Sequence, residues 1–314
     1  MTVITIMDLA ENFGCNTSDF SKQFRDFYST LDMSYQNLSR EERDGVILEV
    51  LNKLQNDKQV IGAPERTNVW FEGWKENLDG FLKNRDIKEI VPKFIRPNKI
   101  VRFNGDFIKA SNSYFERDFA KLIQIYCYDQ FIKNYEVKNV YEFGCGSSFN
   151  LMTMSSMSDS DDRESLNFYG LDFVNSSVDL CNELGSHYDV NLTGLYFDMI
   201  NPNSDIKISE NSAIFTFGSI EQLRSQFKNF VQYLIDNKPK ICFHIEPTVE
   251  NYNPEVLLDY LQIKFHTKRG YTQGLLPHLK ILESDGLIRI VKNKRLNFGS
   301  KFMEGYHLYA WETK

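Results

Sequence analysis

The chain has 314 residues, 42% hydrophobic and 25% charged, with a formal net charge of −7. That length predicts two domains, and the acid excess points away from a dedicated nucleic-acid binder, which carries a basic face. Cys15, Cys127, Cys145, Cys181 and Cys242 are scattered and form no CxxC pair, so neither a disulfide framework nor a thiolate zinc site is predicted; reduced thiols in a cytoplasmic compartment fit better.

The first residues, MTVITIMDLAENF, lack the basic start of a signal peptide. No run approaches the ~20 apolar residues of a membrane span, so no membrane partner is expected. Residues 1 to about 90 read mainly as helix. Phe20, Phe24, Phe27 and Leu31 recur at helical spacing, as do Val46, Leu48, Val50, Leu51 and Leu54 in a second segment. Trp70, Phe71 and Trp74 follow as a tight aromatic group, either a wall over a ligand or an interdomain core. Pro92 and Pro97 end the helical region. KIVRFNGDFIKA then reads as a hairpin turning at Asn104-Gly105. Arg102 and Asn104 on it could reach a ligand or simply face solvent. Ser113 with Glu116 three residues on makes a capping-box pattern for a long amphipathic helix.

From residue 138 strand and helix alternate. Strands are predicted at 138–143, 166–173, 190–199, 212–219 and 239–247. Helices are predicted at 148–157, 175–188 with Asn175 or Ser176 as cap, 220–237, 253–270 closed by Gly270, and about 276–286. Two last strands joined only by a loop should pair antiparallel. The pattern predicts an α/β fold, a Rossmann-like, mainly parallel seven-stranded sheet with an antiparallel last strand. The expected domains are a helical cap over 1–112 and a ligand-binding domain over 113–314.

Ligands of such sheets lie outside the C-terminal strand ends, where strand order reverses. YEFGCGSSFN, residues 141–150, ends the first parallel strand there. Gly144 and Gly146 allow a ligand against bare backbone, and Cys145 between them reads as a small filler rather than a nucleophile. Asp172 ends the second strand, where a carboxylate can accept two bonds from a ribose diol. Asp198 and Met199 end the third, where an acid can bind an exocyclic amine and an apolar side chain can cover a purine; Phe173 and Phe217 stand at neighbouring strand ends. Three ordered strand ends are more specific than the GxG alone. A dinucleotide usually requires G-x-G-x-x-G, but the sixth position is Phe149, and the acidic Glu142 suits a cation better than a pyrophosphate.

With these residues, Glu142-Phe143-Gly144-Cys145-Gly146, Asp172 and Asp198, the chain resembles the class I S-adenosylmethionine-dependent methyltransferases over roughly residues 115–314. Ser148 departs from the family's frequent third glycine. The resemblance implies S-adenosyl-L-methionine as cofactor, S-adenosyl-L-homocysteine as product, and methyl transfer to an oxygen or nitrogen. The expected acceptor is a small or medium-sized natural product, such as a sugar, secondary metabolite or peptide. A peptide or protein side-chain N-methyltransferase and a non-catalytic cofactor-binding scaffold are the alternatives. Nucleic acid is not expected, because 217–223, FGSIEQL, lacks the Asn/Asp-Pro-Pro-aromatic signature and no Pro-Cys nucleophile occurs. A homodimer is allowed.

His244 and Glu246 fall on one side of the fifth strand and are the candidate base and anchor; the alternative is a backbone-satisfied pair. Ser219 and Glu221 can face the crevice, although Glu221 equally suits a helix first turn. Arg269 and Tyr271 in HTKRGYTQG, with Trp70 and Trp74, are the other candidate substrate contacts. The five histidines show no metal-ligand spacing, and no metal is expected.

Overall fold

A computed structural model describes residues 1–61, 64–92, 97–158 and 166–314, with backbone alone for 64–67. In chain order the elements are β1 (Thr2–Val3), α1 (Ile6–Phe13), α2 (Lys22–Ser29), β2 (Ser34–Asn37), α3 (Arg40–Asn56), α4 (Pro64–Asn84), β3 (Ile100–Phe103), β4 (Asp106–Ala110) and α5 (Phe115–Cys127). Then follow β5 (Asn139–Phe143), α6 (Phe149–Ser155), β6 (Asn167–Asp172), α7 (Asn175–Tyr188), β7 (Leu192–Tyr196), β8 (Ser212–Phe217) and α8 (Phe227–Asn237). The chain ends with β9 (Ile241–Glu246), α9 (Leu257–Arg269), α10 (Leu275–Ser284), β10 (Ile288–Arg295), β11 (Phe298–Ser300) and β12 (His307–Thr313).

The larger sheet runs β10-β12-β9-β8-β5-β6-β7. Strands β5 to β9 are parallel, and β12 runs antiparallel between β9 and β10. This is the architecture the alternation predicts. Burial of the strands on both faces explains their near-continuous apolar runs. Val140, Phe215, Phe243 and Leu308 face α5, α6 and α7, whereas Tyr141, Phe143, Ile214 and Trp311 face α8 and α10. Order reverses between β6-β5 and β8, so the crevice of such folds opens at the tips of β5 and β8.

The smaller sheet runs β1-β2-β4-β3-β11. The Asn104-Gly105 hairpin forms as read: both residues have positive φ, 47° and 85°, the geometry of a type I′ turn. The two strands β1 and β2 break the helical reading of residues 1–90. They are short and pair across distant chain, so no local pattern marks them. β11 comes from beyond residue 290 and pairs Phe298 with Phe103, crossing the expected boundary at 112/113. The same hydrophobic cluster holds Phe13 and Phe24 from the N-terminal helices and Phe119, Val140 and Phe243 from the larger sheet's side. Phe13 lies within 4.7–6.2 Å of Phe20, Phe24, Phe119 and Tyr126, ring centre to ring centre.

Other expectations need correction. Ser113 does not cap α5; the N-cap is Tyr114 and makes no side-chain capping bond. Neither Asn175 nor Ser176 caps α7, because Val174 takes that position and its amide donates to Asp172 Oδ1 at 3.0 Å. β7 stops at Tyr196, short of the predicted 199. The helix predicted over 220–237 is a 3-10 segment, Ile220–Gln226, followed by α8, with a break at Arg224 (φ 53°, ψ −131°).

Candidate functional site

At the tip of β5 the chain turns through Gly144 (φ 74°) and Gly146 (φ 52°), both in the left-handed region that only glycine enters without cost. The turn is stitched to β6: the Gly144 amide donates to the Leu171 carbonyl at 2.7 Å, and the Gly146 amide to Asp172 Oδ2 at 2.9 Å. A β-carbon on Gly144 would meet Ser219 Cβ at 2.5 Å. The β5 and β8 tips are therefore in contact at the reversal point. The Ser219 hydroxyl donates to the Phe143 carbonyl at 2.8 Å, and Met199 Cε lies near the same turn.

Two carboxylates are sealed beneath this turn. Asp172 is buried; each oxygen accepts one backbone amide and keeps a second lone pair. Burial pushes its carboxyl up to about 6, against the pull of the Gly146, Val174 and Phe173 amides. Glu142 is 1% exposed. Its Oε1 accepts from Asn150 Nδ2 at 2.6 Å, Asn150 in turn accepts from Gln124 Nε2, and Oε2 has no partner. Burial holds the Glu142 carboxyl well above its usual range, with Asp172 adding to the effect. Cys145 Sγ packs with Cys181 Sγ against Gly170, and burial keeps both thiols protonated.

α4 covers the turn from outside. Trp70 and Trp74 stack at 5.7 Å with planes 14° apart, and a β-carbon on Gly146 would lie 2.7 Å from the Trp74 indole. The Trp74 indole thus packs on the glycine turn, and Phe71 is exposed. Ser176 on α7 donates to the Phe71 carbonyl, and Ser147 to the Ile90 carbonyl just beyond α4. Phe173 and Tyr196, at the tips of β6 and β7, are exposed. Asp198 is turned into its own loop, accepting from the Ile200 amide and Asn201 Nδ2 at 2.8 Å each.

The acceptor-side expectations fare differently. His244 is buried; Thr216 Oγ1 lies 3.0 Å from its Nδ1, and Trp311 Nε1 donates to its Nε2 at 3.0 Å. Burial drives it down to about 3, so it stays neutral, with neither nitrogen open to a substrate. Glu246 accepts the amides of Ser219, Ile220 and Glu221 at 3.0–3.1 Å. It caps the 3-10 segment after β8 rather than facing the crevice. Both are held in structural roles, Glu246 by backbone as the alternative had it and His244 by two side chains instead. Arg269 pairs with Asp57 at 2.8 Å and donates to Tyr271, which is buried against Ile61 and Phe265. These two clamp α9 to the segment that follows α3. Arg102 is likewise buried, donating to the Lys301 and Leu258 carbonyls.

Reading the chain as sequence missed two residues of this region, Glu116 and Tyr306. Glu116 Oε1 accepts from the Tyr306 hydroxyl at 3.4 Å, and the Tyr306 ring meets Phe217, the last residue of β8, at 5.8 Å. Among the described residues no group of His, Cys, Asp and Glu could hold a metal, and no helix is long and apolar enough to cross a membrane.

No protein-family model matches the chain, and no curated protein matches it. Solved methyltransferases are among the structures to which the chain is similar. An rRNA methylase from Escherichia coli is 12% identical, with 93% of this chain and 100% of that one covered and a TM-score of 0.45. Magnesium protoporphyrin IX methyltransferase from Synechocystis PCC 6803, solved with bound S-adenosylhomocysteine, is 10% identical over 88% and 98%, at a TM-score of 0.40. The O-methyltransferase of a trans-AT polyketide synthase multienzyme of Brevibacillus brevis is 9% identical over 62% and 71%, at 0.43.

Proposed function

We propose that this chain is an S-adenosylmethionine-dependent methyltransferase acting on an oxygen or nitrogen of a small or medium-sized natural product. The observation that carries the reading is the pair of buried carboxylates, Glu142 and Asp172, under a turn of two left-handed glycines. Glu142 retains an unpartnered oxygen there. Such a site offers acceptors to a sugar diol, and a cation bound beside Glu142 would favour its charged form. The Gly146 amide that a phosphate would need is already bonded to Asp172, and α6, seven residues long, offers little dipole.

In this reading Gly144, Cys145 and Gly146 form the turn that borders the cofactor, Asp172 grips the ribose, and Glu142 lies toward the cationic end. Phe173, Asp198, Met199 and Phe217 border the adenosyl group. The cofactor supplies an electrophilic methyl on sulfur; the protein contributes orientation and exclusion of water. Trp70 and Trp74 roof the strand tips, which favours an acceptor small enough to lie beneath α4. The net charge of −7 also favours an acceptor that is not a polyanion.

Calorimetry tests the cofactor assignment. S-adenosylmethionine and S-adenosylhomocysteine are expected to bind and NAD to bind far more weakly; the reverse order would overturn the reading. Transfer of labelled methyl to a metabolite pool, with an RNA pool alongside, tests the acceptor class. Tight cofactor binding with no transfer to either pool would leave a scaffold.

A further inference from the structure

A glycine leaves open the small volume that a β-carbon would fill, and a ligand can use that volume to approach the backbone. At Gly146 the chain's own indole takes it. The place of the β-carbon is 2.7 Å from Trp74 Cζ2 and 3.0 Å from Cε2 and Cη2. Carbon atoms in contact stand about 3.5–4.0 Å apart, so no ligand atom fits between the indole and this glycine. Asp172 and Glu142, 4% and 1% exposed, lie closed beneath the same turn. The helix that carries the indole is fastened unevenly. Its second half is anchored. Phe81 is fully buried, 5.5 Å and 6.1 Å from the rings of His187 and Tyr188 on α7, Asn77 Nδ2 donates to the Glu89 carbonyl at 2.5 Å, and Arg85 just beyond pairs with Glu183 at 2.8 Å. In the first half Val69 and Phe71 are exposed, and the Ser176 hydroxyl reaches the Phe71 carbonyl only at 3.4 Å. Gly73 lies between the two stacked indoles. Among the described residues no atom stands within 4 Å of where its β-carbon would be, so packing does not require a glycine there. Its effect is to soften the helix by about 0.5–1 kcal/mol relative to alanine.

We propose that Trp74 is an internal plug: its indole, latched by Trp70, holds the cofactor's place on the glycine turn, and the cofactor enters only after the first half of α4 tilts at Gly73 and the indole swings off Gly146. The inference rests on the cofactor reading above. The conformation described here is then the closed one, with the roof lowered onto the turn. Trp70 stacks on Trp74 at 5.7 Å with planes 14° apart, so tilting the segment that carries Trp70 removes the contact that pins the Trp74 ring. The plug and the cofactor compete for one volume, and the apparent affinity for the cofactor is the intrinsic affinity reduced by the fraction of molecules that are open. A plain wall behaves in the opposite way, since it gains contact when the cofactor binds and loses nothing beforehand.

The test uses the full chain with S-adenosylhomocysteine as the probe. By calorimetry Trp74→Ala should bind it at least about threefold tighter than the parent, because removing the plug raises the open fraction. Trp70→Ala, which keeps the plug and removes the latch, should shift affinity in the same direction. Gly73→Ala should slow association in stopped flow by roughly 3–10-fold, the helix being stiffer at the tilt, while its urea midpoint holds or rises. In the parent, acrylamide quenching of tryptophan fluorescence should increase when the probe is added, as the indole leaves the turn; Trp311 is fully buried and contributes little. Weaker binding by a folded Trp74→Ala, or quenching that falls on addition of the probe, would overturn the inference and leave the cofactor reading standing. Should Trp74→Ala not fold, the quenching of the parent decides. Absence of binding in both the parent and a folded Trp74→Ala would overturn the cofactor reading and the plug together, whereas binding by Trp74→Ala alone would support both.

Discussion

Replacing Asp172 by alanine separates two roles of one carboxylate. The substitution leaves the Gly146 and Val174 amides without their acceptor, and each orphaned buried donor costs about 1–3 kcal/mol. Against that, it removes a carboxylate whose charged form is disfavoured by burial. The group titrates at about 6 when folded against an ordinary value of 3.8, a difference worth roughly 3 kcal/mol at neutral pH. The two effects largely offset, so Asp172→Ala should change stability at pH 7.5 by no more than about 3 kcal/mol. The sign is fixed by linkage. Because the folded-state pKa is raised, this group's contribution is most favourable below the unfolded value and is lost as pH rises through about 6. Urea unfolding at pH 4.5 and 7.5 should therefore show a smaller pH-dependent loss in Asp172→Ala than in the parent, by about 2 kcal/mol. Cofactor affinity should fall tenfold or more, since charge-assisted bonds to a diol are worth ~1.5–3 kcal/mol. A folded variant that binds S-adenosylhomocysteine like the parent would refute the ribose assignment. An unchanged pH dependence of unfolding would refute the burial argument.

Gly146→Ala forces a positive φ on alanine, costing about 1–2 kcal/mol, and drives a methyl into the Trp74 ring. Fluorescence should report both a displaced indole and a lost response to S-adenosylhomocysteine, and Trp74→Phe should remove that response while Trp311→Phe keeps it. Arg295 holds Asp259 and Glu304 through paired bonds of 2.6–2.8 Å. Arg295→Met leaves two buried carboxylates uncompensated and should destabilise by about 3–5 kcal/mol, read as a drop in urea midpoint. Glu246→Gln weakens a cap on three amides and should cost about 1–3 kcal/mol, with kcat per folded molecule nearly unchanged; a large kcat loss at full stability would return Glu246 to the chemistry.

What was readable in the sequence was what depends on near neighbours. Asn104-Gly105 specifies its own turn through backbone sterics, and the apolar runs of β5, β6, β8 and β9 announce strands buried on both faces. The glycines and acids at strand tips were also legible, because β-strand ends in a parallel sheet converge whatever the intervening helices do. Glu246 was not, since the amides it caps lie 25–27 residues away and residue type alone cannot distinguish an exposed carboxylate from a capping one. Glu116 fitted a local capping pattern, yet its partner Tyr306 lies 190 residues on. The Arg269–Asp57 pair, 212 residues apart, was hidden for the same reason.

The strand β11 has a consequence for biogenesis. Phe298, Gly299 and Ser300 complete a sheet whose other members come from the first third of the chain. On a ribosome the earlier strands would emerge long before their last neighbour is synthesised, with the edge of β3 uncovered in the interval. Nascent chains stalled short of residue 300 should thus be protease-sensitive around the hairpin, and emergence of β11 should be the event that completes the sheet.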